Sequence, residues 1–270
     1  MNAREAVKDK KRIVIKIGTS TITHAESGNI NLGKLEKFVR ILVDLRSEGK
    51  EVIVVSSGAI GIGKNVLRLN EVPKDLPSRQ ACAAVGQGRL MMIYEKLFGE
   101  YGALTAQVLL TKESVSNEEC AMHARQTFNR LLSLNVVPVV NENDAISADE
   151  SSYGNFGDND TLSAYVSMLV DADLLILMSD IDGLFTDDPR QNPEAEFIHL
   201  VEKIDENLER MGKGAGTAVG TGGMATKIKA AKLATGCGTD MIIANGDDIH
   251  NIDRIMDGED IGTLFLAENN

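Results

Sequence analysis

The amino-acid sequence predicts an α/β protein built on a doubly wound parallel sheet. Short segments rich in Val, Ile and Leu recur along the chain and end at glycine or polar turns. They are apolar throughout and do not alternate, which is typical of parallel strands covered on both faces. Longer segments between them carry apolar residues at three- and four-residue steps, as amphipathic helices do. This alternation predicts right-handed crossovers and a ligand site outside the carboxyl ends of the strands.

The elements follow from these patterns in chain order. The predicted strands are Arg12–Ile17, Glu51–Val55, Leu104–Leu110, Val136–Val140, Leu174–Met178 and Met241–Ala244. The first helix has one apolar face, made by Leu32, Leu35, Val39, Leu42 and Leu45. Gly49 ends it, because glycine is a common stop signal. Further helices are predicted over Ser78–Phe98, Ser116–Leu134, Thr161–Val170 and Ala225–Thr235. No linker rich in Pro, Gly or Ser interrupts them, so residues 1–270 are expected to form a single domain.

Charge and composition exclude several classes of partner. The chain has 28 Lys and Arg against 40 Asp and Glu, a net charge of −12. Nucleic acids and anionic membranes take much of their affinity from basic residues, so neither is an expected partner. No apolar run approaches the roughly 20 residues that span a bilayer, and the charged N-terminus lacks a signal peptide's apolar stretch. We therefore expect a cytoplasmic protein. The separated Cys82, Cys120 and Cys237 fit a reducing compartment, most simply as buried small apolar residues.

Glycines are concentrated where the predicted strands end and the helices begin. Gly18 follows the first strand, Gly58 follows the second, and Gly222-Gly223 opens a helix that carries Lys227. Backbone amides at such turns favour phosphate or carboxylate. Tight turns alone explain any one of these loops, but several at one sheet edge indicate an anion site.

Three segments of the chain resemble familiar ligand-binding motifs but lack a required feature of each. Gly58–Lys64 matches GxxxxGK, but Asn65 stands where a phosphate loop needs a hydroxyl for magnesium. Gly220–Ala225 resembles the dinucleotide fingerprint without the preceding strand. Ser179–Gly183 resembles part of a calcium loop but lacks its 12-residue spacing and closing Glu.

Lys16 and two polar clusters are the chemically informative residues. Lys16 sits in an otherwise apolar strand, where an ammonium group is costly unless it pairs with an anion. A phosphate contact explains it, and so does a solvated position on an edge strand. Asn141–Asp144 and Gly157–Asp160 mix amides with carboxylates. Such a mixture suits the ammonium and carboxylate groups of an amino acid, or simply the capping of helices and turns.

Taken in order, these motifs resemble the amino acid kinase family, and within it the branch that phosphorylates glutamate. The resemblance runs from Arg12 to Leu266 and rests on Lys16–Ser20, Ser56–Ile60, Asn141–Ala145, Gly157–Asp160 and Gly220–Lys227. It implies a three-layer αβα sandwich with a mainly parallel central sheet, the amino acid kinase fold. Many members carry a C-terminal PUA domain, which we do not expect in this chain.

The resemblance also implies an activity. The γ-phosphoryl group of ATP would pass to the side-chain carboxylate of L-glutamate, giving L-glutamyl 5-phosphate at the start of proline biosynthesis, with Mg²⁺ as cofactor. A glutamate side chain is already ionised at neutral pH, so this reaction needs no general base. His24, His123, His199 and His250 lie outside the motifs, which fits surface or capping roles. Proline as a feedback inhibitor and a homo-oligomer, dimer or tetramer, are implied as well.

Roles for individual residues come from the same resemblance. Lys16 and Lys227 would flank the transferred phosphoryl group, and Asp160 would position both ammonium groups. The substrate-binding positions are Ser57, Gly58, Asn143, Asp144, Asp158 and Asn159. The nucleotide-binding positions are Lys16, Gly18, Ser179, Asp180, Thr221, Gly222, Gly223, Met224, Ala225, Thr226 and Lys227. Magnesium is expected to bind mainly through phosphates and water, so it receives no protein ligand.

Two other functions remain open from the sequence. A module that senses glutamate or proline without turnover would retain the polar clusters but lose one lysine. A sister kinase for another carboxylate would keep both lysines and alter the clusters.

Overall fold

The structure is a computed structural model that describes residues 2–147, 156–187, 192, 194–214 and 223–268. The chain divides into two compact units. Unit 1 comprises Met1–Lys16 with Gly157–Asn270, and unit 2 comprises Ile17–Phe156. The single domain expected over residues 1–270 stays a prediction.

Helices and strands alternate through both units. The helices of the described residues are α1 (Ala3–Ala6), α2 (Thr19–Ile22), α3 (Leu32–Ser47), α4 (Ala59–Val66), α5 (Leu76–Glu100), α6 (Glu113–Ser116), α7 (Glu118–Ser133), α8 (Asn159–Leu169), α9 (Glu206–Gly214), α10 (Met224–Thr235) and α11 (Asn251–Met256). The strands are β1 (Arg12–Ile17), β2 (Glu51–Ser56), β3 (Leu104–Leu110), β4 (Val136–Glu142), β5 (Leu174–Ser179), β6 (Leu184–Phe185), β7 (Phe197–Ile198), β8 (Leu200–Val201), β9 (Asp240–Asn245) and β10 (Thr263–Phe265).

Unit 2 contains parallel strands in the order β3-β4-β2. Val54 pairs with Val139, and Leu110 pairs with Glu142, so the carboxyl ends of these strands meet at one edge. The long helix α5 buries a stripe that includes Leu90. It packs so closely on α4 that a Cβ at position 86 would lie 1.8 Å from the backbone oxygen of Ala59. Glycine is therefore required at this crossing.

Unit 1 contains the strand order β1-β5-β9-β10-β8. Strands β5 and β9 run parallel, and every residue of β5 is buried. The short β10 is an exception to the parallel arrangement of the sheet, because it runs antiparallel to β9, although it is parallel to β8. Ser179 pairs with Asn245, which places polar residues together at the carboxyl ends of β5 and β9.

The predicted strands are present, and the structure bears out an α/β protein with a mainly parallel sheet. One expectation about them is wrong: β3 is not a buried strand, since Leu104 is 66% exposed. Its partner β4 lies on one side, and no strand of the described part of the chain pairs with the other side. The short helices and strands were not predicted, because segments of this length carry no full period. Among the described residues, no helix combines the length and apolar character needed to cross a bilayer.

Candidate active site

Asp160 is the centre of a buried charge cluster in unit 1. Its Oδ1 lies 2.7 Å from Nζ of Lys16, and its Oδ2 lies 3.1 Å from Nζ of Lys227. Lys227 donates a hydrogen bond to Oδ2, and Lys16 makes the closer ion pair at Oδ1. The carboxylate is 2% exposed and the two lysine side chains 12% and 5%. These three groups together carry one excess positive charge in a buried place, which favours an anion.

Three different elements bring the cluster together. Lys16 stands near the end of β1, Asp160 in the first turn of α8, and Lys227 in the first turn of α10. The start of α8 is set by Asp158, whose carboxylate accepts hydrogen bonds from Thr161 N at 2.7 Å and Thr161 Oγ1 at 3.0 Å. This cap orients the first turn and hence Asp160.

The pKa values of the neighbouring Asp160 and Asp158 are shifted in opposite directions. Burial by itself raises the pKa of Asp160, but the ammonium charges of Lys16 and Lys227 outweigh it and hold that pKa below its ordinary value. For Asp158, burial raises the pKa and the charge of Asp160 adds to the rise, while hydrogen bonds from Thr161 oppose it. Asp160 is therefore the permanent anion of the cluster.

The N-terminus of α10 adds backbone donors beside Lys227. Gly223 is its N-cap and supplies no capping side chain, and Met224 and Ala225 follow in the first turn. Unpaired amides at a helix N-terminus bind phosphate groups. Thr226 Oγ1 donates to the Gly223 oxygen at 2.7 Å and lies 3.4 Å from Asp160 Oδ2. Two ammonium groups and this turn fit nucleotide phosphates; Thr221 and Gly222 lie outside the described residues.

The other predicted nucleotide positions of unit 1, Ser179 and Asp180, lie at the carboxyl end of β5. Ser179 is the last residue of β5, and its hydroxyl donates to Asp180 Oδ1 at 3.0 Å. Sequence reasoning missed Asn245, which pairs with Ser179 across the strands and donates to Asp182 Oδ1 at 2.7 Å. Its position at the end of an apolar strand was the available signal.

A second group of predicted residues lies in unit 2. Gly58 adopts a φ of +101° as the N-cap of α4, a conformation that favours glycine, and Ser57 precedes it. Asn143 and Asp144 follow β4 and are half-buried. A cavity of about 210 Å³ lies between the start of α4 and the turn that contains Asn143 and Asp144. It is lined in part by Ala59, Gln87, Glu142, Asn143 and Asp144.

Side-chain amides stand beside this cavity, and sequence reasoning missed two of them, Gln87 and Gln107. Asn141 Nδ2 donates to Gln87 Oε1 at 3.0 Å, and Gln87 Nε2 donates to Gln107 Oε1 at 3.2 Å. Gln87 could have been noticed, because it lies on the buried stripe of α5 between Ala83 and Leu90. A polar residue at such a position usually has a partner.

Some predicted residues have a clear local role as well. Gly18 is the N-cap of α2, and its carbonyl accepts from Thr21 N at 3.2 Å. Asn159 is the first residue of α8, and Asp158 caps that helix, as the alternative interpretation of this cluster expected. Their substrate and nucleotide roles stay predictions.

Among the residues outside the motifs, the cysteines differ from what the sequence predicted. Cys82 is buried, but Cys120 and Cys237 are exposed, so the prediction that all three are buried is wrong. Cys120 lies in α7 and Cys237 lies just after α10, each on a side that no described residue covers. The four histidines are exposed. No group of His, Cys, Asp and Glu suited to a metal ion occurs among the described residues.

Two buried ammonium groups that share one carboxylate, in a unit of mainly parallel strands, are the arrangement expected of a phosphate-handling α/β protein. The sequence matches the model of the amino acid kinase family over residues 11–245, and the chain belongs to this family.

Curated relatives cover almost the whole chain. It is 50% identical to the glutamate 5-kinase of Clostridium acetobutylicum over 270 residues, which is 100% of both chains. It is 52% identical to the glutamate 5-kinase of Clostridium perfringens over 98% of both chains. Identity to the enzyme of that name from Carboxydothermus hydrogenoformans is 55%, over 98% of this chain and 70% of the relative.

Solved structures of low identity share the fold. Carbamate kinase from Giardia lamblia bound to AMP-PNP matches with a TM-score of 0.68 and 15% identity, over 97% of this chain and 100% of that one. Isopentenyl phosphate kinase from T. acidophilum matches with a TM-score of 0.62 and 18% identity, over 94% and 100%. The predicted three-layer αβα sandwich of the amino acid kinase fold is confirmed.

Proposed function

We propose that this protein transfers the γ-phosphoryl group of ATP to the side-chain carboxylate of L-glutamate. The product is L-glutamyl 5-phosphate, and the reaction is the first step of proline biosynthesis. The observation that carries the proposal is the buried cluster of Lys16, Asp160 and Lys227. The relatives named glutamate 5-kinase, at 50% identity and above, support the choice of substrate.

The cluster lowers the main electrostatic barrier to this reaction. A carboxylate nucleophile is ionised at neutral pH, so the barrier lies in bringing an anion up to a polyphosphate. Lys16 and Lys227 stabilise the charge that spreads over the transferred group, and Asp160 holds both ammonium groups in place. The first turn of α10 supplies the amides of Gly223, Met224 and Ala225 to the phosphates. Mg²⁺, when bound with the nucleotide, neutralises further phosphate charge.

The residues that follow β2 and β4 in unit 2 bind the amino-acid substrate. Asp144 pairs with the ammonium group of glutamate, and Ser57, Gly58 and Asn143 supply donors. For Asp158 and Asn159 of unit 1, a substrate role follows from the family resemblance alone. Ser179, Asp180 and Gly18 serve the nucleotide. The cavity lined by Asn143 and Asp144 supports the assignment of a small polar ligand to unit 2.

Acyl phosphate formation tests the proposal directly. The purified chain is given MgATP, hydroxylamine and one acid from a panel of L-glutamate, L-aspartate and N-acetyl-L-glutamate. We expect hydroxamate and ADP with glutamate at the highest kcat/KM. A higher kcat/KM with another acid would identify a sister kinase, and glutamate binding without ADP would identify a sensing module.

The Asp144→Ala variant tests the substrate assignment. Loss of the carboxylate leaves the substrate ammonium group without its partner, so we expect the KM for glutamate to rise at least tenfold, or about 1.4 kcal/mol. The KM for ATP should change little. The control is Asp257→Ala, an exposed carboxylate of unit 1. A rise in the KM for ATP alone would assign this turn to the nucleotide.

We further propose that proline inhibits by competition with glutamate. Proline shares the α-amino and α-carboxyl groups of glutamate but has no second carboxylate to phosphorylate. Initial rates at fixed ATP, with glutamate varied at several proline concentrations, test this. Inhibition relieved by excess glutamate supports a shared pocket, and no inhibition at millimolar proline contradicts it.

The remaining expectations are proposals of the same kind. We propose a homo-oligomer, dimer or tetramer, which light scattering after size exclusion measures. A cytoplasmic location is tested by cell fractionation. A single domain over residues 1–270 predicts one cooperative unfolding transition by calorimetry.

A further inference from the structure

Glu142 is a buried carboxylate to which the proposed mechanism gives no role. It is the last residue of β4 and directly precedes Asn143 and Asp144. Its side chain is 6% exposed, and it lines the cavity beside Asp144. A carboxylate in such a place is costly unless it accepts hydrogen bonds, so the groups that donate to it have structural consequences.

One oxygen of Glu142 joins two separate points of the chain. Oε1 accepts a hydrogen bond from Ser147 Oγ at 3.3 Å and another from Phe156 N at 3.3 Å. These two donors flank residues 148–155. The carboxylate thus ties both flanks of this segment to the end of β4.

Ser147 in turn closes the segment Asn143–Ser147, which we call the Asp144 turn. The amides of Ile146 and Ser147 both donate to the Asn143 oxygen, at 3.1 Å and 3.0 Å. The hydroxyl of Ser147 also lies 3.0 Å from that oxygen, so its single proton can be donated to either Asn143 O or Glu142 Oε1. Gln80 Nε2 donates to the Ser147 oxygen at 3.0 Å and attaches the turn to α5.

We propose that Glu142 is a positioning residue for the amino-acid substrate, acting through the Asp144 turn. Its carboxylate holds Ser147, Ser147 holds the backbone at Asn143, and this fixes the direction in which Asp144 meets the substrate ammonium group. The inference rests on the proposed function. Because Glu142 acts on binding geometry and not on the transferred phosphoryl group, its loss raises the KM for glutamate and leaves the KM for ATP unchanged.

Three variants and one control separate this role from a general structural one. Glu142→Leu removes the acceptor, Glu142→Gln keeps one carbonyl oxygen without the charge, and Ser147→Ala removes one donor. Glu95→Gln, at an exposed position of α5, is the matched control. Hydrogen bonds to a charged acceptor set the scale, so we expect Glu142→Leu to raise the KM for glutamate about ten- to hundredfold. Glu142→Gln should restore part of the loss, and Ser147→Ala should show a smaller rise.

The outcomes are distinguishable. An unchanged KM for glutamate in folded Glu142→Leu, or equal rises in both KM values, overturns the inference. If Glu142→Leu does not fold, Ser147→Ala decides, because an unchanged KM for glutamate in that variant also overturns it. If the wild-type chain yields no hydroxamate or ADP, the proposed function fails. The positioning role of Glu142 is then tested by measuring glutamate affinity calorimetrically. Equal affinities of wild type and Ser147→Ala in that measurement overturn the inference, and a weaker affinity of the variant supports it.

Discussion

The carboxylate of Asp160 lies 2.7 Å from the ammonium group of Lys16, and both side chains are largely withdrawn from water. The two residues lie far apart in the chain and belong to a helix and a strand of unit 1. Lys227 shares the same carboxylate through its other oxygen. A single buried anion thus holds two cations, and the predictions about catalysis and acid stability follow from this arrangement.

Replacing Asp160 with asparagine should damage both stability and turnover. The variant leaves two buried ammonium groups without their shared anion, and breaking a buried pair typically costs about 3–5 kcal/mol. We expect the free energy of unfolding in urea to fall by that amount. The kcat should fall at least ~10²-fold, because the lysines lose their positions. Asp257→Asn, at an exposed position, is the control, and equal losses in both variants would contradict a special role for Asp160.

The stabilisation by Asp160 should disappear in acid. Its folded-state pKa lies below the ordinary value of 3.8. A carboxyl group of this kind contributes fully to stability above its unfolded-state pKa, and the contribution is lost as the pH falls through the lowered folded-state pKa. Urea unfolding of wild type and Asp160→Asn at a series of pH values measures the difference. It should be constant above about pH 5 and shrink below about pH 4; a constant difference into stronger acid would contradict the prediction.

Lys227→Met should separate catalysis from substrate binding. Methionine preserves most of the side-chain volume but removes the charge, so we expect kcat to fall at least ~10²-fold, about 2.7 kcal/mol. Glutamate affinity should change little. Lys232→Met on the same helix is the matched control, since Lys232 is 63% exposed and pairs with Glu209. An unchanged kcat in Lys227→Met would remove this residue from the catalytic role.

Variants of Asp158 separate the effect of its helix cap on stability from the effect of its charge. Asp158→Ala should lower the free energy of unfolding by about 1 kcal/mol, whereas Asp158→Asn keeps the cap and should cost much less. The raised pKa of Asp158 means that the charged form is disfavoured in the folded state. Stability of the wild type relative to Asp158→Asn should therefore fall as the pH rises from 3.8 through the raised folded-state pKa. A difference that grows with pH would contradict the direction of the shift.

Two glycines on one helix should respond in opposite ways to alanine. A Cβ at Gly86 would lie 1.8 Å from the Ala59 oxygen, so α4 and α5 must separate. We expect a loss of about 1–3 kcal/mol or more in the free energy of unfolding. Gly88 has no atom within 4 Å of the added Cβ, and alanine there should gain about 0.5–1 kcal/mol from helix propensity. Urea unfolding of both variants measures this, and equal effects would contradict the close crossing.

The amino-acid sequence by itself determined the longer helices and strands and the motifs, because these depend on local patterns. Strands β1 and β3 occur at their predicted bounds, since a strand is marked by the apolar character of its own residues. The order of motifs from Lys16 to Lys227 was also sufficient to indicate the family. Exposure of Leu104 was not predictable, because it depends on which strands lie beside β3.

Only the tertiary structure decided which groups meet. The packing of α8 against α10 brings Lys227 to Asp160. The cap at Asp158 orients the first turn of α8, which carries the carboxylate of Asp160. In the same way, the hydrogen bonds of Glu142 to Ser147 and Phe156 have no signature in local spacing. Ion pairs and hydrogen bonds act over about 3 Å between residues distant in the chain, so their partners are set by how the elements pack and not by the pattern within any one of them.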